Sequence, residues 1–106
     1  GLPGDKYHAV AEKYLPNGSC GVVSFGVKGG REAAAAFMGH LKIAAIETHV
    51  ADARTCCLHP ASSTHRQMND EQLIAAGVQP DLVRMSCGLE DKNDLIHDIA
   101  QALDQI

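Results

Sequence analysis

Arg84 is the residue of this chain whose type and placement are best suited to binding a small anionic molecule. A guanidinium offers a planar fork of N–H donors that matches a carboxylate through two parallel hydrogen bonds. Apolar and polar residues alternate over Leu82–Cys87, which predicts a strand with two different faces. The predicted core face consists of Val83, Met85 and Cys87. The other face consists of Leu82, Arg84 and Ser86. The guanidinium therefore points away from the core, where it either receives a ligand or pairs with a surface Asp or Glu.

The histidines and cysteines give no comparable signal for a metal site or a nucleophile. The segment His59–His65 places two histidines near Cys57, but Pro60 and the loop-like residues between them give no familiar zinc-ligand spacing. No Ser/His/Asp arrangement is visible, and the glycines of Phe25–Gly30 do not match a phosphate-binding loop. We therefore expect no metal site and no catalytic residue in this chain. Four cysteines without a Cys-x-x-Cys pair are expected to be free thiols: Cys20, Cys56, Cys57 and Cys87.

Hydrophobic periodicity predicts the helices and strands that position Arg84. The clearest helix is Asp91–Ile106, with Asp91 as its cap and one apolar stripe at helical spacing. The stripe consists of Leu95, Ile96, Ile99, Ala102, Leu103 and Ile106. The other predicted helices are Asp5–Leu15, Arg31–Leu41 and Asn69–Ala76, the last with Asn69 and Gln72 as a capping box. The predicted strands are Cys20–Val27, Ile43–Ile46, Arg54–Leu58 and Leu82–Cys87.

Helices and strands alternate, but the runs are too short for a full doubly wound sheet. We expect an α/β fold of the α+β type, in which residues 1–106 form a single domain with one small sheet and helices packed on one face. The mild net charge of −4 and the lack of a basic stripe argue against nucleic acid as a partner. No apolar run approaches the ~18–20 residues of a membrane span and no signal peptide is visible, so we expect a cytoplasmic protein.

The segments His59–His65 and Val83–Asp91 carry the most specific pattern of the sequence. Both resemble segments of the Cys/Met-metabolism family of pyridoxal-phosphate enzymes, which includes cystathionine γ-synthase, methionine γ-lyase and O-acetylhomoserine sulfhydrylase. Tyr14–Gly18, Val23–Glu32 and Leu41–Ile43 resemble the sulfhydrylase branch. The resemblance runs over nearly the whole chain. It implies the C-terminal small domain of a fold-type I enzyme whose N-terminal cofactor domain is absent from this chain.

The resemblance implies roles for two residues. In the family, the arginine of the V-R-x-S-x-G-x-E-D segment binds the α-carboxylate of the substrate, and this role transfers to Arg84. A loop that borders the same carboxylate commonly reads Asn-Val-Gly-Asp or Ser-Leu-Gly-Asp, whereas here it reads His49-Val-Ala-Asp52. His49 is therefore the second candidate substrate-binding residue. The departures at His49 and Ala51 could alter substrate choice.

The resemblance implies that the cofactor is held outside this chain. Family members bind pyridoxal phosphate through a lysine Schiff base in a large domain that precedes this region. None of the five lysines lies in a segment that resembles the cofactor-lysine motif: Lys6, Lys13, Lys28, Lys42 and Lys92. We therefore expect no cofactor-binding residue here.

The resemblance implies a parent enzyme that makes homocysteine by γ-replacement from O-acetylhomoserine and sulfide or another thiol. Relatives of this kind form tetramers, so the parent is expected to be a homotetramer. Two alternatives remain open at this point. One is the cystathionine γ-synthase or methionine γ-lyase branch with the same carboxylate clamp. The other is a free-standing domain that binds an amino acid or a partner protein and performs no chemistry.

Overall fold

A computed structural model describes all residues from Gly1 to Ile106. Its helices are α1 (His8–Tyr14), α2 (Gly30–His40), α3 (Asp70–Ala75) and α4 (Lys92–Leu103), and a 3₁₀ turn spans Pro60–Ser62. Its strands are β1 (Val22–Gly26), β2 (Ala45–Ile46), β3 (Cys56–Leu58) and β4 (Leu82–Ser86). The predicted helices and strands are all present; α2 is shifted by one residue toward the N-terminus, and the others are shorter than predicted. None of the helices combines the length and hydrophobicity that a bilayer crossing requires.

The strands form one mixed sheet in the order β1-β4-β3-β2. β4 runs antiparallel to both of its neighbours, with Arg84 beside Ser24 of β1 on one side and Leu58 of β3 on the other. β2 pairs in parallel with β3, with Ala45 beside Cys56. The strand that carries Arg84 is therefore central and held from both sides. The predicted fold class, one small sheet with helices, is confirmed.

Capping side chains determine where two of the helices begin. The Asn69 side chain accepts the N–H of Gln72 at 2.9 Å, and the Gln72 side chain accepts the N–H of Asn69 at 3.0 Å. This is the predicted capping box of α3. The Asp91 side chain accepts the N–H of Asn93 at 2.8 Å and starts α4 as predicted. α1, in contrast, begins at His8 rather than Asp5 and has no buried residue.

α2 and the main core lie on one face of the sheet, and α4 packs beside α2. Phe37 of α2 is fully buried and meets Phe25 of β1 edge to face, with ring centroids 5.8 Å apart. Val83 and Met85 of β4 are buried in the same core, as the alternation predicts. The prediction for the end of β4 is wrong in two positions. Cys87 lies beyond the strand and is exposed, while Ser86 on the opposite face is only 2% exposed because a loop covers it.

A buried carboxylate that the sequence pattern did not reveal joins α4 to the segment after α2. Asp98 is 4% exposed and accepts the N–H groups of Lys42, Ile43 and Ala44 at 2.8, 2.8 and 3.0 Å. Burial alone would raise the pKa of Asp98, but these three N–H groups and the Gln101 side chain lower it below its usual value. The N–H groups of Ile43 and Ala44 bind Asp98 and not a neighbouring strand. These two residues are therefore outside the sheet, and β2 is shorter than predicted.

The apolar stripe of α4 is less buried than the sequence predicts. Only Ala102 of the predicted stripe is fully buried, while Ile96, Leu103 and Ile106 are exposed. Ile99 packs against the core but remains half-buried. Ile99, Leu103 and Ile106 of the stripe, with Phe25 and Met85 of the sheet, line an open apolar groove of about 670 Å³. The expectation that the stripe closes fully over the sheet is therefore wrong.

The half-burial of Ile99 predicts a moderate loss of stability on truncation. We expect Ile99→Ala to lower the free energy of unfolding by about 1–2 kcal/mol, below the ~2–5 kcal/mol of a fully buried site. Ile96→Ala is the matched control on the same helix, and because Ile96 is 59% exposed it should change stability by no more than about 0.5 kcal/mol. Denaturant unfolding measures both. A loss of about 3 kcal/mol or more for Ile99→Ala would contradict the open groove.

Candidate substrate-binding site

The face of the sheet opposite α2 carries Arg84 and is covered in part by a loop of residues 47–55, here called the 47–55 loop. Arg84 is half-buried, and its Nη2 donates to the carbonyl oxygen of Thr48 at 2.9 Å. The ion pairs of the chain do not involve Arg84. A guanidinium has five N–H donors, so most of the fork has no protein partner. The alternative role of Arg84, an ion pair with a surface carboxylate, is therefore not seen in the structure.

Residues that follow Arg84 at intervals of two hold the 47–55 loop in place. The Oγ of Ser86 accepts the N–H of Ala51 at 3.0 Å. The carboxylate of Glu90 accepts both the N–H and the hydroxyl of Thr55, each at 2.8 Å. Positions 84 and 86 face the loop because side chains alternate along β4, and Glu90 reaches the loop from the bend that follows the strand.

Gly88 completes this pattern. Its N–H donates to the Thr55 hydroxyl at 2.9 Å, and a Cβ at this position would collide with the backbone of Ala53 and Arg54. A side chain here would therefore push the loop away. The alternating Arg, Ser, Gly and Glu of the 84–90 segment thus share one structural task, which is to hold the loop against the sheet. Asp91, the next residue, caps α4.

The contact between Glu90 and Thr55 depends on ionisation. The N–H and the hydroxyl of Thr55 hold the pKa of Glu90 below its usual value, because they bind its charged form more strongly. A lowered pKa in the folded state means that this contact stabilises fully above the pKa of the unfolded chain. The stabilisation is lost as pH falls through the lowered folded-state pKa. The loop is therefore held most firmly at neutral pH.

His49 lies on the outer side of the 47–55 loop, directly after the residue whose carbonyl binds Arg84. Its side chain is 59% exposed, and its Nδ1 lies 2.8 Å from Oε2 of Glu47 and 3.6 Å from Oδ2 of Asp52. The other oxygen of Glu47 binds Arg54 at 2.7 Å. Hydrogen bonding to Glu47 raises the pKa of Arg54, and the N–H of Arg54 lowers the pKa of Asp52. Arg84 thus binds the backbone of the loop that carries His49, but the two predicted substrate-binding side chains make no hydrogen bond with each other.

The backbone conformation of Ala51 explains why the family commonly has glycine at this position of the loop. It is the only residue other than glycine with a positive φ, at 60°. A side chain disfavours this left-handed conformation, which glycine adopts freely. The turn therefore suits glycine, the residue that the family commonly has here, and the alanine of this chain adopts it under strain.

The histidines of His59–His65 have structural roles or lie at the surface. His59 is 2% exposed, and its Nε2 lies 2.7 Å from the carbonyl oxygen of Pro80. A carbonyl only accepts, so Nε2 carries the proton, and Nδ1 lies 2.9 Å from the hydroxyl of Ser62. His59 therefore joins the 3₁₀ turn to the segment before β4. The zinc set considered in the sequence, Cys57 with His59 and His65, is not a cluster in the structure.

The residues present do not fit a site that holds pyridoxal phosphate. All five lysines are exposed, so none is enclosed in a way that would suit a covalent link to the cofactor. The largest groove of the chain is lined mostly by apolar side chains, and Lys28 at its border is the only charged group there, which is too few donors to hold a phosphate.

The strained turn at Ala51 predicts that glycine stabilises this position. Replacing an alanine in the left-handed conformation by glycine removes strain of about 1–2 kcal/mol from the folded state. The greater freedom of glycine in the unfolded chain offsets about 0.5–1 kcal/mol of this gain. We therefore expect Ala51→Gly to raise the free energy of unfolding by about 0.5–1 kcal/mol. The matched control is Ala53→Gly in the same loop, which should destabilise by a similar amount because its φ is not positive. Equal losses for both variants in denaturant unfolding would contradict the strain.

Comparisons with known proteins agree with this geometry. The family model described as Cys/Met metabolism PLP-dependent enzyme matches residues 1–104. O-acetyl-L-homoserine sulfhydrylase 1 of Thermus thermophilus is 44% identical over 103 residues, which is 97% of this chain and 24% of that protein. Homocysteine synthase of Schizosaccharomyces pombe is 44% identical over 104 residues, again 24% of its length. The chain thus spans about a quarter of the curated relatives it matches.

A solved structure shares the fold. A putative O-acetylhomoserine (thiol)-lyase from Campylobacter jejuni superposes with a TM-score of 0.82 at 34% identity, covering 97% of this chain and 24% of that one. Its description includes a lysine modified as N'-pyridoxyl-lysine-5'-monophosphate, which lies outside the region matched by this chain. The resemblance in the sequence and the expected dependence of the family on pyridoxal phosphate are both confirmed. This chain belongs to the Cys/Met-metabolism family of pyridoxal-phosphate-dependent enzymes.

Proposed function

We propose that this chain is the C-terminal small domain of an O-acetylhomoserine sulfhydrylase, which makes homocysteine from O-acetylhomoserine and sulfide or another thiol. Its own task is to bind the α-carboxylate of the amino-acid substrate through Arg84. One observation carries this assignment: the guanidinium of Arg84 stands on the polar face of the sheet with a single protein hydrogen bond and no carboxylate partner. The names of the relatives support the O-acetylhomoserine sulfhydrylase branch over the cystathionine γ-synthase and methionine γ-lyase branches.

The geometry around Arg84 suits a positioning role. The bond from Nη2 to the carbonyl oxygen of Thr48 orients the guanidinium plane and leaves other N–H donors for two parallel bonds to a carboxylate. Binding the carboxylate at a fixed point reduces the entropy lost when the reacting carbons reach a productive position. Pyridoxal phosphate, held by the rest of the parent enzyme, supplies the electron sink for γ-replacement.

His49 is the second residue of the proposed site. Its ring is exposed, and Nδ1 is turned toward Glu47, which leaves Nε2 available to a bound molecule. Since the loop carries a histidine where the family commonly has Asn or Ser, we assign to His49 a contact that influences substrate choice. The single domain of residues 1–106, the homotetrameric parent and its cytoplasmic location belong to the same proposal.

The absence of a suitable lysine predicts that the 106-residue chain alone does not bind the cofactor. After incubation with pyridoxal phosphate, it should show no visible absorbance from a lysine-bound cofactor. The full-length protein should show such a band, and borohydride should abolish it. A reducible band in the isolated chain would contradict the assignment. A reading frame without a preceding cofactor domain would favour the free-standing binding domain instead.

The proposed clamp predicts a graded loss of activity in the full-length protein. Arg84→Ala removes a charge-assisted pair, so kcat/KM for O-acetylhomoserine should fall about tenfold to a hundredfold or further, equivalent to ~1.5–3 kcal/mol. Arg84→Lys keeps the charge but loses the fork, so it should fall between wild type and Ala. Steady-state production of homocysteine from O-acetylhomoserine and sulfide measures all three.

Arg66→Ala is the matched control, because Arg66 is exposed and its side chain has no polar partner in the structure. It should leave kcat/KM unchanged. Thermal unfolding should show that Arg84→Ala remains folded. An Arg84→Ala enzyme with unchanged kcat/KM would contradict the clamp, and one that fails to fold would make Arg84 a structural residue.

A further inference from the structure

Three side chains of different chemistry converge at the edge of the sheet that carries β2. A carboxylate oxygen of Glu47, a ring nitrogen of His49 and the sulfur of Cys56 all lie within 4.8 Å of one another. Oδ2 of Asp52 lies 3.6 Å from Nδ1 of His49 but is not within this distance of all three donors. We propose that Glu47, His49 and Cys56 form a binding site for a single Zn²⁺ ion, with water as the fourth ligand. The spacing of these residues in the chain does not match a familiar metal motif, because two lie on the 47–55 loop and the third on β3.

The backbone explains why the donors meet. Ala45 of β2 pairs with Cys56 of β3, and the N–H of Glu47 donates to the carbonyl of Cys57 at 3.1 Å, so the parallel pairing continues past β2. Because side chains alternate along a strand, Glu47 lies on the same face as Ala45 and Cys56. The left-handed turn at Ala51 then reverses the loop. By this register Glu47 lies opposite Leu58, and its side chain reaches Cys56 diagonally along the same face of the sheet.

The donor set fits zinc rather than magnesium or calcium. A thiolate, an imidazole and carboxylates are the ligands that Zn²⁺ combines in tetrahedral sites, whereas Mg²⁺ and Ca²⁺ take oxygen donors. Zinc bonds of about 2.0–2.3 Å place neighbouring donors roughly 3.3–3.7 Å apart. The three donors lie at most 4.8 Å apart, so the longest separation would shorten by about 1 Å, while the 2.8 Å between Nδ1 of His49 and Oε2 of Glu47 would widen by about 0.5 Å or more. Binding would release the thiol proton of Cys56 to solvent and leave the thiolate as a ligand.

Without a metal, each donor of the cluster has a hydrogen-bond or ion-pair partner. Glu47 binds His49 with one oxygen and Arg54 with the other. The buried thiol of Cys56 donates to the carbonyl oxygen of Arg54 at 3.5 Å, an ordinary distance for sulfur. Zinc would replace the thiol proton and the contact between His49 and Glu47, and it would stabilise the negative charge of the thiolate beside the Glu47 carboxylate. Arg54 occupies only the far oxygen of Glu47, so the oxygen that faces His49 is available to the metal.

Zinc binding to the full-length protein, stripped of metal with a chelator and loaded with its cofactor, tests this site. Isothermal titration with ZnCl₂ should give one site that His49→Asn and Cys56→Ser each weaken by at least about tenfold. The matched controls are His97→Asn and Cys20→Ser, which change an exposed histidine and an exposed cysteine elsewhere and should leave the affinity unchanged. Co²⁺ should give the visible bands of a tetrahedral complex in wild type and lose them in Cys56→Ser.

The outcomes separate clearly. His49→Asn changes an exposed side chain, so it gives an answer even if Cys56→Ser is poorly folded in thermal unfolding. The absence of a saturable zinc site in wild type would overturn the proposal. So would zinc binding of equal affinity in wild type and His49→Asn, because the ion would then be held elsewhere in the protein. The proposal is independent of the carboxylate role of Arg84, since neither titration involves substrate.

Discussion

The polar face of the sheet depends on the hydrogen bonds between the 47–55 loop and the 84–90 segment. Arg84, Ser86 and Glu90 each bind a backbone group of the loop, and Gly88 leaves the space that its backbone occupies. A hydrogen bond contributes about 0.5–1.5 kcal/mol between neutral groups and about 1.5–3 kcal/mol where one group is charged, as for Arg84 and Glu90, so the contacts hold the loop jointly. They act together because one short segment, the end of β4 and the bend after it, carries them all. The guanidinium of Arg84 is oriented only while the loop stays against the sheet.

The same alternation divides the domain into two faces with different tasks. Val83 and Met85 point into the core under α2, so the position of β4 is fixed by packing. Arg84 and Ser86 point the other way, toward the loop. The apolar face therefore positions a polar face on which the guanidinium of Arg84 has no carboxylate partner. This arrangement suits a domain that presents a ligand-binding group to the rest of a larger enzyme.

The sequence predicted those features that depend on local periodicity. The alternation of β4, the Asn69 capping box and the Asp91 cap were all found, because each arises from residues close together in the chain. Features that depend on distant partners were missed. The burial of Ser86 requires the 47–55 loop, and the burial of Asp98 requires the N–H groups of the segment after α2. The apolar stripe of α4 predicted the helix correctly. It did not predict how much of the stripe is buried, because that depends on how far the sheet beneath the helix extends.

The central claim is that Arg84 contacts the substrate carboxylate, and a cycle that changes both partners tests it most directly. Dissociation constants would be measured in the full-length protein for an unreactive homoserine analogue and for the same molecule with its carboxylate converted to a neutral amide. Each would be measured with wild type and with Arg84→Ala. Direct contact predicts that the two changes are not additive, with a coupling of ~1.5–3 kcal/mol. Additive losses within about 0.5 kcal/mol would contradict the contact, however large the loss for Arg84→Ala alone.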